Sequence, residues 1–177
     1  TNAGKSTLFN RLTGAEVLEK DMLFATLDPT LRLIKLPSGQ KVILSDTVGF
    51  IADLPTHLVA AFRATLEEVR EASLILHVRD YANPESEQQK KDVIDVLKNL
   101  DIEEAVIYGA IEVLNKIDLL AGDEVLKLEQ LDENQVAVSA LAEKGLDELL
   151  MRIDQALLAK THSEEFTLGY EEGEKLA

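Results

Sequence analysis

Apolar positions along the chain follow two rhythms, one helical and one extended. Thr56–Ala72 sets Leu58, Phe62, Leu66 and Val69 on one helical stripe, and Leu146, Leu149, Leu150, Ile153 and Leu157 do the same near the end. Ser6–Leu12 and Gly122–Leu131 read as shorter helices, and the chain is irregular from the first of them to about Asp28. Another helix starts at Asn83-Pro84, where Asn caps, Pro suits the first turn, and Glu85 and Glu87 face the positive end of the dipole. It runs to about Leu100. Leu31–Leu36 and Lys41–Ser45 flank the turn-rich Pro37-Ser38-Gly39-Gln40 and predict an antiparallel hairpin. Leu74–Val78 is an apolar run that suits a strand buried on both faces, and Ile111–Asn115 and Gln135–Ser139 are further strands. Short strands alternating with amphipathic helices predict an α/β domain with a mainly parallel sheet and one antiparallel strand. Periodicity fades after residue 160, so 1–160 reads as the domain and 161–177 as a linker or the start of a C-terminal domain.

The 177 residues suffice for one domain with a real core. No apolar run approaches the roughly 18 residues of a membrane span. The chain has no Cys, which excludes disulfides and fits the reducing cytoplasm taken as its compartment. A monomer is expected. The net charge is −15, from 18 basic and 33 acidic side chains. Such a surface repels nucleic acid, so any RNA contact must be local or lie outside this sequence.

The chain opens Thr1-Asn2-Ala3-Gly4-Lys5-Ser6-Thr7, the last part of the phosphate loop G-x-x-x-x-G-K-S/T. Backbone N–H groups there wrap phosphates, and the following helix aims its positive end at the anion. Gly4 permits close backbone approach, Lys5 neutralises the β- and γ-phosphates, and the Ser6 hydroxyl ligates Mg²⁺. The first glycine of that motif and its leading strand are not in the sequence, so a fragment lacking a central strand is expected.

Three further motifs follow in order. Asp46-Thr47-Val48-Gly49 ends the second hairpin strand; Asp46 would hold Mg²⁺ through water and the Gly49 N–H would meet the γ-phosphate. Asn115-Lys116-Ile117-Asp118 ends an apolar strand. The Asp118 carboxylate can accept from both guanine N1–H and the 2-amino group, donors that adenine lacks. Such sites discriminate by about 10⁴ or more. The Lys116 stem can cover the base while Asn115 ties the loops together. In Ser139-Ala140-Leu141 the Ala140 N–H would donate to guanine O6. Four loops at strand ends form one crevice, where ligands bind in open α/β sheets. The pattern predicts a three-layer P-loop fold binding GTP or GDP with Mg²⁺.

Beyond these motifs, Leu23-Phe24-Ala25-Thr26-Leu27-Asp28-Pro29-Thr30, the stretch LSDTVGFIADL from Leu44 to Leu54, and LVAAFRATLEEV from Leu58 to Val69 resemble the HflX family of ribosome-associated GTPases. The resemblance covers nearly the whole chain. It implies a GTPase that associates with the ribosome, mainly its large subunit, and splits or rescues ribosomes. It also implies that Thr26 reaches Mg²⁺ when the γ-phosphate is present, with Thr30 the second candidate or a plain strand-edge threonine. Lys5, Thr26 and Gly49 are then the residues around the transferred phosphoryl group. The alternative is the nucleotide-binding module of a related Obg or Era-type ribosome-assembly GTPase, with negligible hydrolysis in isolation.

Phe50 occupies the place where many GTPases carry a water-positioning Gln, so slow intrinsic turnover is expected, with the ribosome ordering the switches. Asn2 would, on family analogy, ligate K⁺ beside the phosphates, or else hydrogen-bond within its own loop. His57 reads as a solvated helix-start residue, His77 as a core residue, and Arg63 and Arg70 as a solvated face. The three histidines are scattered, which leaves no zinc site.

Overall fold

A computed structural model describes residues 2–14, 30–47, 69–99 and 109–161. Helix α1 spans Lys5–Thr13 between two glycines in the left-handed region, Gly4 and Gly14, and buries Leu8 and Phe9. Strands β1 (Thr30–Lys35) and β2 (Lys41–Asp46) pair antiparallel, from Thr30 opposite Asp46 to Lys35 opposite Lys41. The turn closes with Leu36 N–H donating to Gln40 O at 2.8 Å and Gly39 N–H to Leu36 O at 2.8 Å. It is pinned from afar by Asp154, whose carboxylate accepts from the Ser38 N–H and hydroxyl at 2.6 and 2.7 Å. Ile34 and Leu36 point into the core while Leu31, Leu33 and Ile43 stand outward.

Strands β3 (Leu76–Asp80), β4 (Ile111–Asn115) and β5 (Gln135–Ala137) form a parallel sheet in that order. Every residue of β4 is buried, as expected of the middle strand of a covered sheet. Helix α2 (Ser86–Asn99) connects β3 to β4. The short helix α3 (Asp123–Leu126) and a 3₁₀ turn, Lys127–Gln130, lie between β4 and β5. Helix α4 (Leu146–Thr161) closes the described chain and drives Leu149 and Ile153 into the cluster with Leu8, Ile34, Val113 and Val136. Full burial of a Leu or Val of this kind stabilises by about 1.5–3 kcal/mol. No described helix is long and apolar enough to cross a membrane.

Several placements differ from the sequence expectation: β5 ends at Ala137 instead of Ser139, and the Gly122–Leu131 helix is a short helix followed by a 3₁₀ turn. Among the described residues the hairpin and the parallel strands are two sheets, because no described strand bridges β2 and β3. A space of about 510 Å³ separates them, lined by Leu8, Phe9, Val42, Leu44, Leu76 and Val78. Strand β3 lies two residues later than Leu74–Val78, since it includes Arg79 and Asp80, whose charges pattern reading assigns to a loop. Helix α2 starts at Ser86 because Asn83 makes a local turn, its side-chain oxygen accepting from the Glu85 N–H at 2.9 Å.

Arg79 survives in a strand because its guanidinium is paired. It donates to Glu112 at 2.6 Å and to Glu87 and Ser86 of α2, while Glu112 also accepts from Lys90 and Gln135. Burial pushes the Glu112 carboxyl up, but these hydrogen bonds and the Arg79 charge outweigh it, leaving the group below the usual range. His77, on the same strand, is half-buried beside this charged cluster. Burial, opposed by Glu112 and reinforced by Arg79 and Lys90, lowers its pKa to about 4.

Candidate functional site

The phosphate loop is shaped by backbone conformation before any side chain acts. Asn2 (φ 65°) and Gly4 (φ 83°) both lie in the left-handed region, turning the chain sharply into α1. A Cβ on Gly4 would run into the Asn115 amide, so close approach requires glycine here as well as the turn. The first helical hydrogen bond runs from Leu8 N–H to Gly4 O at 2.9 Å. Asn2 is exposed; Ala3, Lys5, Ser6 and Thr7 are half-buried. Burial lowers the Lys5 ammonium from its ordinary pKa, and the nearby Asp46 carboxylate offsets part of that. A phosphate arriving beside Lys5 would raise it again by favouring the charged form.

Asp46 ends β2 and is itself buried. Its Oδ2 accepts from the Ser6 hydroxyl at 2.7 Å, across 40 residues of chain. That contact puts two hard oxygens together at the phosphate-loop end of α1. Among the described residues no three His, Asp or Glu side chains gather to make a full protein cage. An ion that takes one or two protein oxygens and keeps waters fits such a pair, and Mg²⁺ is that kind of ion. Thr30 lies within β1 opposite Asp46, in a strand position.

The base-side loops meet the phosphate loop through one residue. Asn115, the buried last residue of β4, donates from Nδ2 to Ala3 O at 2.8 Å and accepts at Oδ1 from the Ala140 N–H at 3.0 Å. Three loops far apart in sequence are therefore held by one amide. The Ala140 N–H, which the sequence reading gives to guanine O6, is engaged here by Asn115, because a buried amide oxygen needs a donor. Asp118 sits in a 3₁₀ turn, Ile117–Leu119, and is exposed. Its Oδ1 accepts from the Ser139 hydroxyl, which in turn accepts from the Ala142 N–H at 3.0 Å. The carboxylate is thereby oriented while remaining open to a ligand. Leu141 is exposed beside it.

Lys116 reaches the adjacent strand, its ammonium 2.6 Å from Asp80 Oδ2. Sequence reading missed Asp80, because its only signal is the register that sets it opposite Asn115. It likewise gave Ser139 no partner. Thr1, Thr26, Gly49, Phe50, His57, Arg63 and the segment 162–177 lie outside the described residues. Arg70 is exposed.

The model of the 50S ribosome-binding GTPase family matches residues 1–116. The chain is 44% identical to the GTPase HflX of Magnetococcus marinus, over 98% of this chain and 44% of that protein. It is 48% identical to the GTPase HflX of Caldanaerobacter subterraneus, over 97% of this chain and 38% of that protein. Among solved structures it resembles a GTP-binding protein from Sulfolobus solfataricus in complex with GDP. That likeness has a TM-score of 0.71 at 27% identity and covers 91% of this chain and 51% of the other. The chain spans about two fifths of the length of the curated relatives it matches. A glycine-led phosphate loop, a Ser6–Asp46 oxygen pair and an Asp118 carboxylate, on an α/β fold shared with these relatives, place the chain as a G domain of the HflX family of 50S ribosome-binding GTPases.

Proposed function

We propose that this domain binds GTP and GDP with Mg²⁺, hydrolyses GTP slowly, and works as a nucleotide-dependent switch on the large ribosomal subunit. The observation that carries the reading is the Asn115 amide, which holds the phosphate loop and the base-side loops in one frame. A nucleotide spanning that frame would meet Lys5 and the N-terminus of α1 with its phosphates and Asp118 with its guanine edge. Ser139 holds one carboxylate oxygen so that both can face the two guanine donors. Guanine O6 would compete with Asn115 for the Ala140 N–H. Ser6 and Asp46 would hold Mg²⁺, which supplies charge neutralisation on the β- and γ-phosphates when bound. Thr26 would close on the metal with the γ-phosphate present, and the Gly49 N–H would meet that phosphate.

Phe50 offers no hydrogen bond to an attacking water, so turnover is slow until a partner orders the site. The description of the matching family, ribosome-binding, supports the large subunit as that partner. With a net charge of −15 the domain makes only local contact with rRNA. Asn2, exposed at the loop's entrance, is the candidate for holding K⁺ beside the phosphates. Equal turnover in KCl and NaCl at matched ionic strength removes that role.

Titration with fluorescent GDP and ADP in Mg²⁺ tests the central claim. GDP should bind and ADP should not, and Asp118→Asn should shift preference toward xanthine nucleotides. Equal affinity for both purines would sink the reading. Sedimentation with large subunits in a non-hydrolysable GTP analogue against GDP tests the partner.

A further inference from the structure

The strongest unassigned feature of the site lies one strand away from the base-reading motif. Asp80 is the last residue of β3 and sits opposite Asn115 in the parallel register. The Tyr81 N–H donates to Asn115 O at 2.9 Å, so the ends of the two strands are locked together. Lys116 leaves β4 in the left-handed region (φ 68°), which turns its side chain back toward β3. Its ammonium ends on Asp80 Oδ2 at 2.6 Å, a charge-assisted contact in which the Asp80 side chain is only 18% exposed. The other oxygen, Asp80 Oδ1, is buried and has no hydrogen-bond partner among the described residues. A buried acceptor left open is a cost that needs a compensating gain. Here that gain is a single strong contact, to the one residue of the guanine motif whose stem can lie along a base.

We propose that Asp80 is a positioning residue for nucleotide recognition: it anchors the Lys116 ammonium so that the four-carbon stem is held straight as an apolar wall for the purine ring. The proposal rests on the guanine-nucleotide reading and deepens it. A free lysine stem samples many rotamers, and fixing it on each binding event costs affinity; an anchored stem is already in place. Because a methylene wall has no hydrogen-bonding preference, Asp80 sets how long a purine stays, while Asp118 sets which purine binds. The two contributions are separable by experiment.

The experiment uses the protein at its natural full length and stopped-flow dissociation of fluorescent GDP and, in an Asp118→Asn background, fluorescent XDP. Asp80→Ala should speed both dissociations by about tenfold, the loss of one well-placed charge-assisted contact, with the GDP-over-ADP preference unchanged. Lys116→Met, which keeps an unbranched stem and removes its anchor point, should match it. The double variant should then be no worse than either single change. Asp80→Asn, of the same shape, serves where the alanine variant does not fold, and should speed release in the same direction. Unchanged dissociation in folded Asp80 variants, or Asp80 and Lys116 effects that simply multiply, would overturn the positioning role while guanine binding stands. Failure of the unaltered protein to bind any guanine nucleotide would overturn both readings together.

Discussion

Asn115→Ala tests most directly how this site is held together. The side chain is 2% exposed and makes two hydrogen bonds, at 2.8 Å to the Ala3 carbonyl and 3.0 Å from the Ala140 N–H. Truncation leaves the two partners in different positions. The Ala3 carbonyl is half-buried and can turn to water, so its loss is small. Ala140 is buried, and its N–H would be left without an acceptor, costing about 1–3 kcal/mol. The vacated volume adds a cavity contribution, bringing the expected loss to about 3 kcal/mol. For a chain of this size that corresponds to a fall of roughly 6–12 °C in Tm. The chain has no Trp, so urea and thermal unfolding should be followed by far-UV circular dichroism without nucleotide. An Asn115→Ala variant within about 0.5 kcal/mol of the parent, the size of an ordinary surface change, would refute the amide as the tie between loops.

Gly4→Ala adds a Cβ against the Asn115 amide at a φ of 83°, and should cost about 1–3 kcal/mol in urea unfolding and abolish tight GDP binding. His77, its pKa lowered to about 4 mainly by burial, gives a pH dependence with a definite sign. The unfolded chain takes up the proton near pH 6.5 and the native state does not, so stability is lost as pH falls from about 6.5 toward about 4. Between pH 7.5 and 5 the loss should be about 2 kcal/mol, absent in His77→Phe, measured by urea midpoints at the two values. Arg79→Met removes one of three partners of the buried Glu112, leaving Lys90 and Gln135, and should destabilise by about 1–3 kcal/mol, while Arg79→Met with Glu112→Gln should recover part of that in the same assay.

Local spacing was enough for the place of β4, read as a strand over Ile111–Asn115 and found there, and for the apolar face of α4. The glycine, lysine and serine of the phosphate loop and the Asn and Asp of the base motif were legible too. Each sits at a fixed offset within a few residues, and backbone geometry over that range is set by the chain itself. Pattern reading failed where a charged side chain is paid for by a distant partner. Arg79 was excluded from β3 because Glu112, 33 residues on, cannot be seen as its counter-charge from a linear pattern. Asp80 was passed over for the same reason, its contact with Lys116 spanning 36 residues. The contact of the Ala140 N–H with Asn115 and the orientation of Asp118 by Ser139 likewise come from tertiary packing. Parallel strands have no turn to fix their alignment, so only the assembled sheet determines which side chains meet at its carboxyl edge.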